Sequence, residues 1–374
     1  MYNYIWNNKW REKINPKEVT LKEISKRANV SVSTVSAILN NNPNCFAGEK
    51  TRRKVIEIAE KLGYYSNLLY RGIRNKKTNT IGLIIPHIYY SEIRVDIEVL
   101  ESLFWRKGYH LFIGYTKDDL KKEECLIKDF LSRRVDGIIF VASKENKNNN
   151  EIKKIIERKY PFITIGRFEE IKTDFITTDY YKGGYILAEH LYQMGYRNFG
   201  IVFSREEKYS LSLRERKRGF LEYTREKNLF VKEYYLKKNA YTSVEELIKD
   251  SEIIGEEILK KKYRPDAVFA SNDEIAAGII KSTIKLGIRI PDELGVAGFD
   301  NSLSSILSPV PITTIRQRKE KVAEEVFKAM IKKLENNEIK IERLIEPELI
   351  IRDSTALKYR KKEGQYEKER VYID

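Results

Sequence analysis

Along the first sixty positions apolar residues recur at helical spacing in three short bursts. The segment VTLKEISKRANVSVSTVSAILN, Val19 to Asn40, puts Leu21, Ile24 and Ala28 on one face and turns Lys22, Glu23, Lys26 and Arg27 outward. Val30, Val35 and Ile38 predict a second helix buried against the first. Asn29 stands at the junction, where a left-handed residue is needed and Asn tolerates it, and Ser31 then offers an oxygen to cap the second helix. A third helix is predicted from about Glu49 to Leu62, buried through Val55, Ile58, Ala59 and Leu62 and ended by Gly63. The second helix presents Val32, Ser33, Thr34, Ser36 and Ala37, a small and uncharged face that permits close approach to a major-groove floor. This fits a helix-turn-helix reader of duplex DNA, although an ordinary helical hairpin shows the same pattern.

From Thr80 the period changes. IGLIIPHI, an amphipathic stretch from Ile93 to Lys107, YHLFIGY, a helical pattern ending near Arg134, and GIIFVA read as strand, helix, strand, helix, strand. PFITIG, a helix from Gly183 to Met194, FGIVF, a helix through Arg216 to Lys227, PDAVFAS, a helix from Asp273 to Leu286, and ELGVAGFD continue the alternation. Near-continuous apolar strands between amphipathic helices predict parallel sheets covered on both faces. The stretch is too long for one small sheet, so two α/β lobes facing a cleft are expected, with ligands beyond the carboxyl ends of the strands. SNLLYRGIRNKKTNT, polar and basic, separates this region from the helical one and reads as a hinge.

Charge sharpens the picture. Residues 1 to 78 carry sixteen Lys and Arg against six Asp and Glu, so +10 of the formal +15 sits on about a fifth of the 374 residues. Such a concentration suits phosphate neutralisation with counterion release. Lys, Ile, Asn and Tyr are abundant throughout, so the overall pI by itself says little. The segmental asymmetry is the better evidence. No apolar run is long enough to span a membrane, and the start lacks the pattern of a secretory signal, which predicts a cytoplasmic protein. Cys45 and Cys125, with His87, His110 and His190 scattered, offer no metal-ligand spacing, disulfide framework or Cys/His nucleophile, so no metal site and no catalytic residue is expected. Neither GxGxxG nor GxxxxGKS/T follows any strand, which disfavours a nucleotide-dependent enzyme, and no cofactor is expected.

Several motifs in order, VTLKEISKRANVSVSTVSAILN, KTRRKVIEIAEKLGY, KTNTIGLIIP, RRVDGIIF, MGYRNFGIV, RERKRGF, PDAVFASND, GVAGFD and ITTIRQ, resemble blocks of the lactose-repressor family of bacterial transcription regulators over roughly residues 19 to 355. The resemblance implies an all-α helix-turn-helix headpiece joined to a two-lobed, periplasmic-binding-protein-like α/β domain. It further implies a homodimer on a palindromic operator, controlled by a small effector, a sugar or sugar phosphate. The expected organisation is an extension over 1–18 with Trp6 and Trp10, a headpiece over 19–66, a hinge over 67–78, an effector domain over 79–355 and a charged tail over 356–374. Within the effector domain, lobe 1 is expected at about 79–178 and 311–342, and lobe 2 at about 179–310 and 343–355. The tail lacks a leucine heptad, so a dimer is expected rather than a tetramer.

Carried over by position, the resemblance puts Ser31 and Ser36 on phosphates, Val32 and Ser33 at base edges, Thr34 on nearby backbone and Asn40 on the DNA backbone. The family frequently has Arg where this chain has Ala37, so weaker guanine selectivity and more contact with thymine methyls are expected there. In the hinge, Ile73 stands at the family's minor-groove wedge position, Tyr70 and Gly72 depart from the family pattern, and Arg71 and Arg74 remain candidates for phosphate contacts. For the effector, the resemblance points to Arg216, Asn272 and Asp300, whose guanidinium, amide and carboxylate suit vicinal hydroxyls. Tyr89, Tyr90 and Phe299 are candidates to stack on an apolar sugar face, with core packing the plainer role for Phe299. The plainer reading of RERKR is a solvated helix face, that of Asp273 an N-cap, and that of Asp179 a structural residue. Two other classes remain as alternatives: a sugar-binding sensor or transport component without DNA binding, and an enzyme that would need a carboxylate pair flanking a bond.

Overall fold

The computed structural model describes residues 19–40, 42, 45–64, 77–86, 91–142, 149–205, 208, 210–238, 241, 243–336, 338–356, 361–362 and 365–366, and the chain divides into two units between Thr78 and Asn79. The extension over 1–18, with Trp6 and Trp10, lies outside the described residues, as do Tyr70, Arg71, Gly72, Ile73 and Arg74 of the hinge.

In the first unit the described residues form α1 (Leu21–Ala28), α2 (Val32–Leu39) and α3 (Glu49–Lys61). Thr20 Oγ1 accepts the Glu23 N–H at 3.3 Å and starts α1. Asn29 ends it in the left-handed conformation expected of it, at φ 57° and ψ 47°, and its N–H donates to Ser25 O. Ile24, Ala28, Val35, Ile38, Val55 and Ala59 form the buried centre, with Leu21, Val30, Ile58 and Leu62 packed at its margin. The third helix stops one residue before the predicted end, because Leu62 is its C-cap; Gly63 follows at φ +65°, and the Tyr64 N–H returns to Ala59 O at 2.9 Å.

The second unit contains two parallel sheets. The first runs in the order β11-β5-β4-β3-β1-β2, built from β1 (Thr80–Ile85), β2 (His110–Tyr115), β3 (Gly137–Val141), β4 (Phe162–Ile165), β5 (Phe175–Thr178) and β11 (Glu342–Ile345). One face packs Ile81 and Leu83 against Leu100 and Phe104 of α4 (Ser91–Arg106) and Val322, Val326 and Met330 of α12 (Lys319–Glu335). The other packs Ile84, Ile138 and Phe140 against α5 (Leu120–Ser132) and α6 (Asn150–Glu157). Full burial of the central strands explains their unbroken apolar runs.

The second sheet has the order β7-β6-β8-β9, with β6 (Asn198–Phe203), β7 (Phe230–Tyr235), β8 (Ala267–Ala270) and β9 (Gly295–Ala297). α7 (Tyr180–Gln193) and α8 (Leu211–Glu226) cover one face through Leu187, Leu191 and Phe220, while α9 (Val244–Leu259) and α10 (Asp273–Leu286) cover the other through Ile254, Ile258, Ile275 and Ile279. α7 and α8 cross at Gly184 and Gly219. A Cβ on the first would collide with the carbonyl oxygen of Arg216, and one on the second with that of Tyr181. α7 starts three residues before the predicted Gly183, because Asp179 caps it, accepting the Lys182 N–H at 2.9 Å.

The chain crosses between lobes at other residues than expected. β10 (Thr314–Arg316), expected in lobe 1, packs Ile315 into the second core and pairs antiparallel with β12 (Glu348–Ile350), and Thr313 bridges Ala297. Residues 343–345, expected in lobe 2, are strand β11 beside β5 in the first sheet. The physical reason is register: Leu344 pairs with Thr177 and Ile345 with Thr178, completing the lobe 1 edge before the chain returns.

Candidate nucleic-acid interface and ligand cleft

The face of α2 is set by its cap. Ser31 Oγ accepts the Thr34 N–H at 3.0 Å and lies 2.7 Å from Ser33 Oγ and 2.8 Å from Thr34 Oγ1, so the hydroxyl expected on a phosphate is engaged at the helix start. Val32 is 42% exposed and Ser33 is exposed; Thr34, Ser36 and Ala37 are half-buried. Asn40 Nδ2 donates to Ser36 Oγ at 3.2 Å at the other end. With the two ends tied down, the small-residue face is held rigid on a three-helix core. Ser31→Ala removes the cap and is expected to lower the headpiece's stability by about 1 kcal/mol, read as an earlier helix melting by circular dichroism. An unchanged midpoint would count against the cap.

The carboxyl ends of the strands in the second unit lead into the crossovers between lobes, and there the cleft residues meet. Arg216, on α8, is 6% exposed although its neighbours form a charge run. Its Nη2 pairs with Asp300 Oδ1 at 2.8 Å, its Nη1 donates to Ser271 O at 2.7 Å, and its guanidinium lies 3.8 Å from the ring centre of Phe299 and 5.1 Å from that of Tyr180. The sequence thus hides one arginine inside RERKR: Arg216 points inward, while Arg218 pairs with Glu215 at the surface. Phe299 is fully buried, so it serves both as core and as the floor under Arg216.

Asp300 sits at φ 104°, a region unfavourable for a residue with a side chain and found where the surrounding structure over-determines it, and Asn301 follows at φ 56° in the left-handed region that Asn tolerates. The bend aims the Asp300 carboxylate at Arg216 and at Gln317, whose Nε2 donates to Asp300 Oδ1. Gln317 is also tied to both lobes' crossover: its carbonyl accepts from Thr178 Oγ1 at 3.1 Å, and its Oε1 accepts from Tyr180 OH at 3.2 Å.

Two assignments change. The N-cap of α10 is Asn272, whose Oδ1 accepts the Ile275 N–H at 2.9 Å, and not Asp273. Asn272 therefore has its amide nitrogen and one remaining lone pair of its oxygen to offer a ligand. Asp273 is fully buried, accepts the Ser302 N–H at 2.7 Å and the Thr314 hydroxyl at 2.6 Å, and braces the floor of the cleft. Burial raises its carboxyl well above the usual carboxylate range, and the Asp300 charge adds to that.

Arg216 and Asp300 are paired, and Asn272 follows the Ser271 whose carbonyl Arg216 holds; Tyr89 and Tyr90 lie outside the described residues. Gln317 and Thr314 were not singled out, although both stand in the ITTIRQ block; a polar pair straddling a short strand immediately before a helix was the available signal. Beside this cluster a cavity opens between the lobes, lined among others by Gly166, Arg167, Thr178, Asp179, Ser212 and Arg218. Among the described residues no group of His, Cys, Asp and Glu could hold a metal ion, and no helix is long and apolar enough to cross a membrane.

A helix-turn-helix unit ahead of two parallel-sheet lobes that enclose a polar cleft defines a DNA-binding regulator with a sensor domain. Residues 20–67 match the bacterial regulatory proteins of the lacI family, and residues 188–355 match the periplasmic binding protein-like domain. The chain thus carries a lacI-family DNA-binding domain followed by a periplasmic binding protein-like domain, the make-up of a transcription regulator. It is 29% identical over 304 residues to catabolite control protein A of Priestia megaterium, covering 80% of this chain and 87% of that protein. It is 28% identical over 341 residues to the transcriptional repressor PurR of Mannheimia succiniciproducens, covering 90% and 98%. In fold it matches the lac repressor dimer bound to operator and the anti-inducer ONPF, at a TM-score of 0.79 and 19% identity over 91% of this chain and 99% of that one. A LacI-type regulator from Alkaliphilus metalliredigens complexed with D-xylulofuranose matches at a TM-score of 0.60 and 28% identity over 74% and 98%.

Proposed function

We propose that the protein is a cytoplasmic homodimeric repressor of carbohydrate-utilisation genes, whose affinity for a palindromic operator is set by a small sugar-type effector in the cleft. The observation that carries the effector half is the buried Arg216–Asp300 pair on the Phe299 ring, with the Asn272 amide alongside: planar donors and an acceptor over an aromatic floor suit vicinal hydroxyls. Structures of the lac repressor with ONPF and of the regulator with D-xylulofuranose support the same reading. In this reading residues 19–66 read the operator, 67–78 act as the hinge, with Ile73 as the minor-groove wedge and Tyr70 and Arg71 beside it, and 79–355 sense the effector. Effector and operator are then coupled reciprocally, because each binds the two lobe arrangements with different affinity. Val32 and Ala37 favour thymine methyls over guanine.

Selection of tight binders from a random duplex pool by the purified full chain, at near-physiological salt, tests it. An AT-rich palindrome is expected. Recovery of nothing above non-specific affinity, with and without added sugars, would refute operator reading by this headpiece.

A further inference from the structure

Burial leaves four side-chain atoms among the described residues without a hydrogen-bond partner: Asp96 Oδ1, Arg216 Nε, Tyr234 OH and Ser308 Oγ. Arg216 belongs to the cleft already described. Asp96 is the other charged group, and it belongs to lobe 1. It lies in the second turn of α4, the helix that follows the carboxyl end of β1, and is 1% exposed. Its Oδ2 is 3.4 Å from Lys319 Nζ, at the first position of α12 and two residues beyond Gln317. Gln317 holds Asp300, and Asp300 holds Arg216. The short segment from Gln317 to Lys319 therefore carries, at its two ends, contacts that lead to an unused buried acceptor in lobe 1 and to an unused buried donor in lobe 2.

A single long ion contact does not satisfy a buried carboxylate. Desolvation pushes the Asp96 carboxyl up to about 6 in spite of the pull of Lys319, and Glu320 pushes the same way as burial. An acceptor left open in a dry interior destabilises the chain that carries it, whereas an apolar side chain of similar volume on this buried helix face would not. The fold has no use for Oδ1; a ligand bearing a donor does.

We infer that Asp96 is a specificity-determining residue of the effector cleft, its Oδ1 accepting a hydrogen bond from a hydroxyl of a polyol effector while Lys319 holds the carboxylate in place. The inference rests on the reading of the cleft as a sugar site. It also sets the polarity of the ligand: the part that reaches lobe 1 at Asp96 is an uncharged hydroxyl, because a phosphate there would meet a buried negative charge.

The test uses the full chain and four probes, D-glucose, D-xylose, D-ribose and cellobiose, followed by thermal shift and isothermal titration. A probe that binds the wild type is expected to bind Asp96→Leu about 10- to 100-fold more weakly, with Asp96→Asn in between. Deoxy analogues of that probe complete a double-mutant cycle: the analogue lacking the hydroxyl at Asp96 loses affinity for the wild type and loses none further on Asp96→Leu. Should Asp96→Leu fail to fold, the same cycle is run on Asp96→Asn. Equal affinity for wild type and variants overturns the inference and leaves the sugar reading standing. Failure of all four probes to bind the wild type removes both.

Discussion

Gly184→Ala and Gly219→Ala are each expected to destabilise the sensor unit by about 2–3 kcal/mol, and the valine variants to prevent lobe 2 from folding. The helices α7 and α8 meet through these two positions, and what a new Cβ strikes is backbone: the Arg216 carbonyl in one case and the Tyr181 carbonyl in the other. Backbone inside a helix cannot swing aside as a flexible side chain does, so the pair must move apart and surrender contacts along Leu187, Leu191 and Phe220. Gly114 is the control. Its added Cβ would strike only the Leu126 side chain, which can change rotamer, so Gly114→Ala should cost less. Urea denaturation followed by near-ultraviolet circular dichroism of the tyrosine-rich lobe measures all three. A Gly184→Ala midpoint no lower than that of Gly114→Ala would show that the crossing has slack. Separation of α7 from α8 also displaces Arg216, so weaker effector binding should accompany the loss of stability.

How far the sequence speaks depends on whether a feature is local. The left-handed Asn29, the cap at Ser31 and the stop at Gly63 are short-range backbone chemistry, and all three stand where the residues predict them. The β-α alternation is equally legible for the central strands, whose apolar runs have no polar interruption. Edge strands are different. β7 is exposed at Phe230 and carries Lys232 and Glu233 in its middle, so its pattern reads as surface, and the strand is defined by its pairing with β6. β11 is further still, because its partner β5 lies more than a hundred and sixty residues away in sequence. The lobe boundaries go wrong for that reason: no local signal marks where a returning strand joins the first sheet. In the candidate site, the resemblance pointed to Arg216 and Asp300, which form a buried pair, whereas the charge run by itself puts Arg216 on a solvated face. Its burial comes from packing between α8 and the Phe299 ring, a contact across eighty residues of chain. The Asn272 and Asp273 exchange of roles has a similar origin, since Thr314 and Ser302 arrive from elsewhere to claim the Asp273 carboxyl.

Arg216→Ala is expected to lower stability by about 3–5 kcal/mol and to abolish effector binding, and the first of these effects separates the structure from a simpler picture. Were Arg216 held ready only for a ligand, its removal would leave the unliganded chain as stable as before. Here it closes three gaps at once: it neutralises Asp300, whose side chain is 10% exposed, it satisfies the carbonyl of Ser271, and it covers Phe299. Its loss would strip the Asp300 carboxylate, whose charge already weighs on Asp273, of its paired cation. Arg216→Lys should recover part of the stability but less of the binding, since an ammonium cannot span Asp300 and Ser271 while lying flat on an aromatic ring. Arg216→Met combined with Asp300→Asn should be less damaging than the sum of its parts, because the orphaned charge is then gone. Denaturation at low and high salt adds a check on location: a buried pair loses little of its contribution to screening, whereas a surface pair such as Arg218–Glu215 loses most of it. A midpoint for Arg216→Ala within about 0.5 kcal/mol of wild type would mean that the pair forms only when a ligand is present.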